Sequence, residues 1–371
     1  MPRAIANACW TSLALCLAGG PCSDVAAQSS FLPDTAIQHL LDERVRQGRA
    51  VGLVLVTYQR GGVPRSFHAG RTGRAGLPLG DDVLFEIGSV TKTFTATLLA
   101  DMVRRGEVAL DDPVTKHLPP DVKVPTRAGR PITLVDLATH TSGLPGLPTN
   151  IAPGNIKNPY ADYSVRMLDE FLAAYQLPRD IGVQYEYSAV GLGLLGRALS
   201  HRLGKTWEAA LIERVLAPLG MASTRVRLDA RLRARLAVGH DDSATPTPNW
   251  DIPALPAMGA LRSTAKDLAR YLAANMDSTS RPLGRAMAMA HDPRTVMDAE
   301  TRVGLAWQTG HASNRTMIWH GGGTGGYHAL IAFEPKSGLG IVMLSNSALG
   351  ADDIGFHLLD PTLPLDRGVQ R

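Results

Sequence analysis

Strand-like patterning stands at both ends of this chain and is largely missing from its middle, and that layout restricts the fold more than any other feature. Near the start, "VGLVLVTYQRGG" and "RSFHAGRTG" read as a hairpin turning at Gly61-Gly62. From about residue 303, "VGLAWQTG", "TMIWHGG", "YHALIAFEP" and "GLGIVMLSNS" predict three or four further strands, and "DDIGFHLLD" a short closing helix. Helical spacing fills the interval, in "TLVDLATH", "VRMLDEFLAAYQL", "GLGLLGRALSHRLG" and "WEAALIERVLAPLG". Strands at both ends satisfy their hydrogen bonds most simply in one antiparallel sheet, with helices packed on it. The expected class is α/β (α+β), an antiparallel sheet from both chain ends flanked by helices, with an inserted mainly helical region. One domain would span residues 28–371, its sheet part at about 31–110 and 285–365 and its helical part at about 111–284.

The first residues, "MPRAIANACWTSLALCLAGGPCSDVAAQ", carry one basic residue, a short apolar core and small residues at Val25 and Ala27. That order predicts a secretory signal over residues 1–27, and a periplasmic or secreted protein. Cys9, Cys16 and Cys22 all lie before the cut, so the mature chain would have no disulfide and no thiol nucleophile. No other segment reaches the roughly 18 apolar residues of a transmembrane helix. With 44% apolar and 19% charged residues the chain is patterned for a packed core, not for disorder. The net charge of +4 comes largely from arginines scattered singly, and no nucleic-acid stripe results.

Within that frame "FEIGSVTKTFTATLLADMV" places a lysine where a buried helix face is expected. Ser89 follows Gly88 at the start of a helical pattern, where free N–H groups favour negative charge. Lys92 lies one turn on and shares its stripe with Ala96, Leu99 and Val103. Burial would push the lysine towards neutrality, so that it could take the serine's proton: Ser-Lys nucleophilic catalysis. The same S-x-x-K spacing recurs at Ser263 and Lys266. There Thr264 and Asp267 form a capping pattern before an amphipathic helix, and a structural reading is favoured.

Two more elements belong with Ser89. "QYEYSAVGLGLLGRAL" sets Tyr187 just before a helix, where a phenol could relay protons beside a neutral lysine. "WHGGGTGGYHALIAF" sets His320 and five glycines at a strand, which permits close approach of backbone and ligand and exposes N–H groups to an oxyanion. Two long segments rich in Gly, Pro and Asn, residues 141–164 and 239–260, suit the walls of a site.

The ordered set "SVTK", "YSA" and "HGG", with "PITLVDLATHTSGLP" and "GIVMLSNS", resembles the class C β-lactamase and penicillin-binding family across essentially the whole mature chain. Within it the chain is most similar to the D-alanyl carboxypeptidase/endopeptidase and esterase-like branches. The resemblance implies a β-lactamase/transpeptidase-like fold, Ser89 as acylated nucleophile, Lys92 as its partner and Tyr187 as acid/base. It implies the N–H groups of Ser89 and Gly323 as oxyanion donors, and His320, Gly321 and Gly322 as substrate-binding positions. Substrates would be a β-lactam, a D-alanyl peptide or an ester, with peptidoglycan as a polymeric partner, no nucleic acid, no cofactor and no metal. Two positions depart from the family pattern. Ala189 stands where an asparagine is common, and His320-Gly321-Gly322 where β-lactamases carry Lys-Thr-Gly. A histidine in that place would be cationic only below its ordinary pKa near 6.5. Alternative readings are a carboxylesterase on the same site, or a sensor that is acylated without turnover.

Other chemistries lack their signatures. No G-x-S-x-G elbow or H-E-x-x-H occurs. "LSHRLGKT" has Leu199 where a phosphate loop needs its first glycine, and no Gly-rich nucleotide turn lies near the N-terminus.

Overall fold

The computed structural model describes residues 30–277, 282–312 and 315–366; the expected signal, residues 1–27 with its cysteines, lies outside them. The strands are β1 (Gly52–Gln59), β2 (Arg65–Gly70), β3 (Leu84–Glu86), β4 (Thr126–Arg127), β5 (Arg130–Pro131), β6 (Arg262–Thr264), β7 (Thr295–Val296), β8 (Thr301–Val303), β9 (Gln308–Ala312), β10 (Arg315–Gly323), β11 (His328–Glu334) and β12 (Leu339–Ser345). The helices are α1 (Asp34–Arg46), α2 (Thr91–Arg104), α3 (Leu134–Ala138), α4 (Val165–Ala174), α5 (Ala189–Leu203), α6 (Trp207–Leu211), α7 (Ala230–Arg233), α8 (Ala265–Met276), α9 (Pro282–His291) and α10 (Asp352–Leu359).

The main sheet runs β2-β1-β12-β11-β10-β9-β8-β7, with every neighbouring pair antiparallel. The two chain ends meet at β1 and β12, in register from Leu53 opposite Ser345 to Gln59 opposite Leu339. Alternation along each strand then divides the core in two. Leu53, Leu55, Ile341 and Met343 face one way, under Ile37 and Leu41 of α1 and Ile354 and Leu358 of α10. Val54, Val56, Ile331 and Val342 face the other way, into the large core shared with the helical region. Both faces are therefore covered, which is why β1 is buried from Gly52 to Tyr58.

Two elements differ from the sequence reading. "VGLAWQTG" does not form one strand. β8 ends at Val303 and β9 begins at Gln308, and between them Gly304 donates to the Trp307 carbonyl (2.8 Å) and Ala306 to that of Ala138 (2.8 Å). Ala306 takes a left-handed φ of 62°, and Trp307 is fully buried, so anchoring the indole overrides the strand pattern. The helix expected over "WEAALIERVLAPLG" is α6 running into a π-helical turn at Ile212–Leu216.

Candidate active site

Ser89 lies in a 3-10 turn, Gly88–Val90, that feeds β3 into α2. Gly88 has φ 46°, and a side chain there would meet the backbone of Gly323, whose nitrogen is 2.8 Å from the Cβ position. Gly322 makes the reciprocal approach, its Cβ position lying 2.7 Å from the nitrogens of Ser89 and Val90 and against the Ile87 carbonyl. Only glycine fits either place, and the result is that the end of β10 rests on the Ser89 turn. Gly323 is exposed at that end, while Gly321 points to the opposite sheet face, its Cβ position 3.5 Å from Asp352 of α10.

The charge in the apolar helix finds its partners across the fold. Lys92 is 1% exposed, and its Nζ reaches Ser89 Oγ at 2.8 Å and the Met258 carbonyl at 2.6 Å. Burial lowers its pKa to about 7. Met258 belongs to the long segment 239–260, and α2 holds that segment at one further point and the residue just after it at another. Thr95 Oγ1 donates to the Ala257 carbonyl (3.0 Å), and Leu261 N donates to Thr91 Oγ1 (3.2 Å). On its other side the segment lies against α5, where Gly193 and Gly196 leave room for Leu255 and Ala257. The loop thus carries a carbonyl to the lysine because two helices are cut to receive it.

Tyr187 completes the cluster, donating its hydroxyl to Ser89 Oγ at 2.8 Å. Burial pushes the phenol up to about 12, so it is protonated near neutral pH. Its place at the start of α5 is set by Ser188, the N-cap, whose Oγ accepts from Gly191 N (3.0 Å). Ala189 follows, half-buried, with its N–H directed to the Gly146 carbonyl (3.1 Å).

A residue to which the sequence reading attached no role stands behind the phenol. His140 is buried, has φ 60°, and stacks on Tyr187 with ring centroids 4.6 Å apart. Its Nδ1 accepts from Ser188 N at 3.0 Å. It lies within "ATHTSGLP", and a histidine followed by Thr-Ser-Gly in a Pro/Gly-rich stretch was the available signal. The Met258 carbonyl carried no such signal, since any residue could have supplied it.

His320 corrects an expectation. It is 2% exposed, its Nδ1 lies 2.6 Å from the Gly321 carbonyl, and its pKa falls to about 3, through burial first and the nearby Lys92 second. It is therefore a neutral imidazole at physiological pH and not a cation that titrates near 6.5 to receive a carboxylate. The second S-x-x-K match behaves as read. Ser263 is buried and bonded to Thr224 Oγ1 (2.8 Å), Thr264 caps α8 by accepting from Asp267 N (3.1 Å), and the Lys266 side chain is about half exposed.

The two long loops are tied to each other. Asn158 Nδ2 donates to Asp251 (3.1 Å), Asp251 N to Asn158 Oδ1 (2.9 Å) and Trp250 Nε1 to the Lys157 carbonyl (3.1 Å). Trp250 also donates its backbone N–H to Glu86 (3.0 Å), three residues before Ser89 and paired with Arg262. Among the described residues no group of His, Cys, Asp and Glu is arranged to hold a metal ion.

Against known proteins, the family model described as Beta-lactamase matches residues 37–357. The chain is 28% identical over 373 residues to a β-lactamase of Escherichia coli (strain K12), covering 91% of this chain and 94% of that protein. It is 31% identical over 322 residues to the D-alanyl-D-alanine-carboxypeptidase/endopeptidase AmpH of the same strain, covering 81% and 80%. Its fold is similar to that of a class C β-lactamase from Rhodobacter sphaeroides, with a TM-score of 0.76 at 24% identity, over 88% of this chain and 99% of that one.

Proposed function

This chain belongs to the β-lactamase family and is a serine hydrolase of that fold, and from that premise we propose an acyl-enzyme route carried by Ser89. The observation that carries the proposal is the double approach to one oxygen: Ser89 Oγ is met at 2.8 Å by both Lys92 Nζ and Tyr187 OH. With its pKa near 7 the lysine can be neutral, and its lone pair then takes the serine proton as Oγ attacks a carbonyl. The oxyanion forms between the N–H groups of Ser89 and Gly323, whose backbones the glycine contacts bring together. Tyr187, still protonated, passes its proton to the leaving group and is reprotonated from Lys92. Water then releases the acyl group by the reverse relay.

The substrates we propose are β-lactams or D-alanyl peptides drawn from peptidoglycan chemistry. Ala189 at the start of α5 favours a second reading, hydrolysis of simple carboxylic esters, because it offers no carboxamide to a substrate amide. Secretion to the periplasm or beyond, and the division into a sheet part and a helical part, belong to the same proposal. No helix among the described residues is long and apolar enough to cross a membrane. Intact-mass analysis tests the route against a penicillin, a cephalosporin, a D-Ala-D-Ala peptide and a p-nitrophenyl ester. A Ser89 adduct with turnover supports a hydrolase, an adduct without turnover points to a sensor, and its absence with all four overturns the route.

A further inference from the structure

Two nitrogens beside this cluster have no hydrogen-bond partner in the protein although both are buried: Nε2 of His140 and Nε2 of His320. Their chemistry is fixed by what the other ring nitrogen does. His140 Nδ1 accepts the Ser188 N–H, so a neutral ring must carry its hydrogen on Nε2, as a donor. His320 Nδ1 lies 2.6 Å from a carbonyl oxygen and must donate to it, so its Nε2 is bare, an acceptor. Burial keeps both rings neutral, and each lies close enough to Lys92 to feel its charge. The unmet pair is therefore one donor and one acceptor in the same buried neighbourhood. Leaving either unmet opposes folding.

We propose that His140 Nε2–H and His320 Nε2 together hold the hydroxylic molecule that relieves Ser89 of its acyl group, water in hydrolysis and a short alcohol when one is offered. A hydroxyl matches the pair because it accepts one hydrogen bond and donates another, which an amide N–H or a carboxylate cannot do in that order. The surroundings fit the role. His140 stacks on Tyr187, which touches Ser89, and His320 precedes by two residues the glycine that packs on the Ser89 nitrogen. In the step itself the bound oxygen forms a bond to the acyl carbon and its proton passes to neutral Lys92, either directly or through Tyr187 as the phenol hands its own proton to the lysine. The acyl–Oγ bond then breaks, and a proton returns to Ser89 Oγ. The histidines orient the acceptor and exchange no proton.

The inference rests on the Ser89 route, so its test separates the two. Asparagine places an amide near the Nδ1 position and nothing at Nε2. His140→Asn thus keeps an acceptor for Ser188 N, and His320→Asn keeps a donor for the Gly321 carbonyl. With a p-nitrophenyl ester, each variant should slow acylation, read as the first burst of nitrophenolate, far less than it slows release. Each should lose about 10- to 100-fold in the later release rate, as expected for one lost orienting hydrogen bond. The acyl adduct should accumulate towards one per molecule, and glutamine at either position, which reaches the Nε2 place, should recover part of the loss. In mixed methanol and water, the wild type should form methyl ester above methanol's molar share, and the variants only in proportion to it. Equal slowing of acylation and release, or a methyl ester share unchanged from wild type, overturns the inference. Should one variant fail to fold, the other carries the same test. If no adduct forms on Ser89 even in wild type, it is the Ser89 route that has failed.

Discussion

Gly322 lies backbone to backbone against Ser89: a methyl group on it would stand 2.7 Å from the Ser89 nitrogen. Gly322→Ala should therefore push β10 off the nucleophile turn and misplace the oxyanion donors. Losing one such donor lowers kcat by about 10²–10³, and a loss of that size is expected here. Gly321→Ala is the control, because its Cβ position meets nothing nearer than 3.5 Å and faces α10. Steady-state kinetics on both variants check the contrast, and equal effects would show that the approach of the two backbones is unimportant.

Ser89→Ala should retain the fold and lose turnover and covalent adducts together, by several orders of magnitude in rate. Ser263→Ala should do the reverse, keeping kcat and costing about 1 kcal/mol in stability through its lost bond to Thr224. Circular dichroism, intact mass and turnover distinguish them. Activity that survives in Ser89→Ala but not in Ser263→Ala would identify the other serine.

Lys92 should impose two pH dependences. As pH rises through about 7 the buried amine is freed, and kcat/KM on a neutral ester should climb. Stability follows from the same shift from 10.5 to about 7. Between those values the unfolded chain binds more protons than the folded one, so stability rises with pH across that window. Below about 7 both states are charged and burial opposes folding by something on the order of 5 kcal/mol. Lys92→Met should be inactive throughout and should gain in Tm relative to wild type as pH is lowered from about 10 to 7. A Tm difference constant with pH would contradict the lowered pKa.

His320 should contribute no charge to substrate recognition between pH 5 and 8, because burial holds its pKa near 3. For an acidic substrate and its neutral analogue, KM should change in parallel across that range. Divergence near pH 6.5 that disappears in His320→Asn would restore the cation reading.

Ala189→Asn should favour lactams over esters. A substrate amide buried without a partner loses about 1–3 kcal/mol, roughly tenfold to hundredfold. A carboxamide at the half-buried start of α5 can offer that partner. The ratio of kcat/KM for a penicillin to that for a p-nitrophenyl ester should rise by about tenfold or more. An unchanged ratio would mean that another group already serves the substrate amide.

The sheet, the helical insertion and the Ser89–Lys92 contact could be read from residues alone because each depends on local or periodic order. Strand alternation in "GLVLVTYQ" and "LGIVMLS" reports which face each side chain takes, and sequence order at the two ends leaves few ways to pair them. Ser89 and Lys92 are one helical turn apart, so their meeting required no knowledge of the rest of the chain. Tyr187 is 98 residues away in sequence and was reached only through an ordered set of motifs.

The lowered pKa of Lys92 was legible in its apolar helix stripe, but tertiary structure alone decided the electrostatics of the histidines. The sequence places His320 on a strand, but whether an imidazole is a cation depends on how much water surrounds it, and burial beside the Ser89 turn left almost none. The same holds for His140, whose left-handed backbone and stacking on Tyr187 come from contacts made far along the chain. It holds for the Met258 carbonyl, 166 residues from the lysine it satisfies. The two unmet ring nitrogens arise in this way as well, since the tautomer of each is set by one backbone group that only the folded chain brings to it. Periodicity specifies which faces are buried. Which polar atoms from distant parts of the chain meet inside that burial, and hence the tautomer of each histidine, depends on distances that no spacing in the sequence encodes.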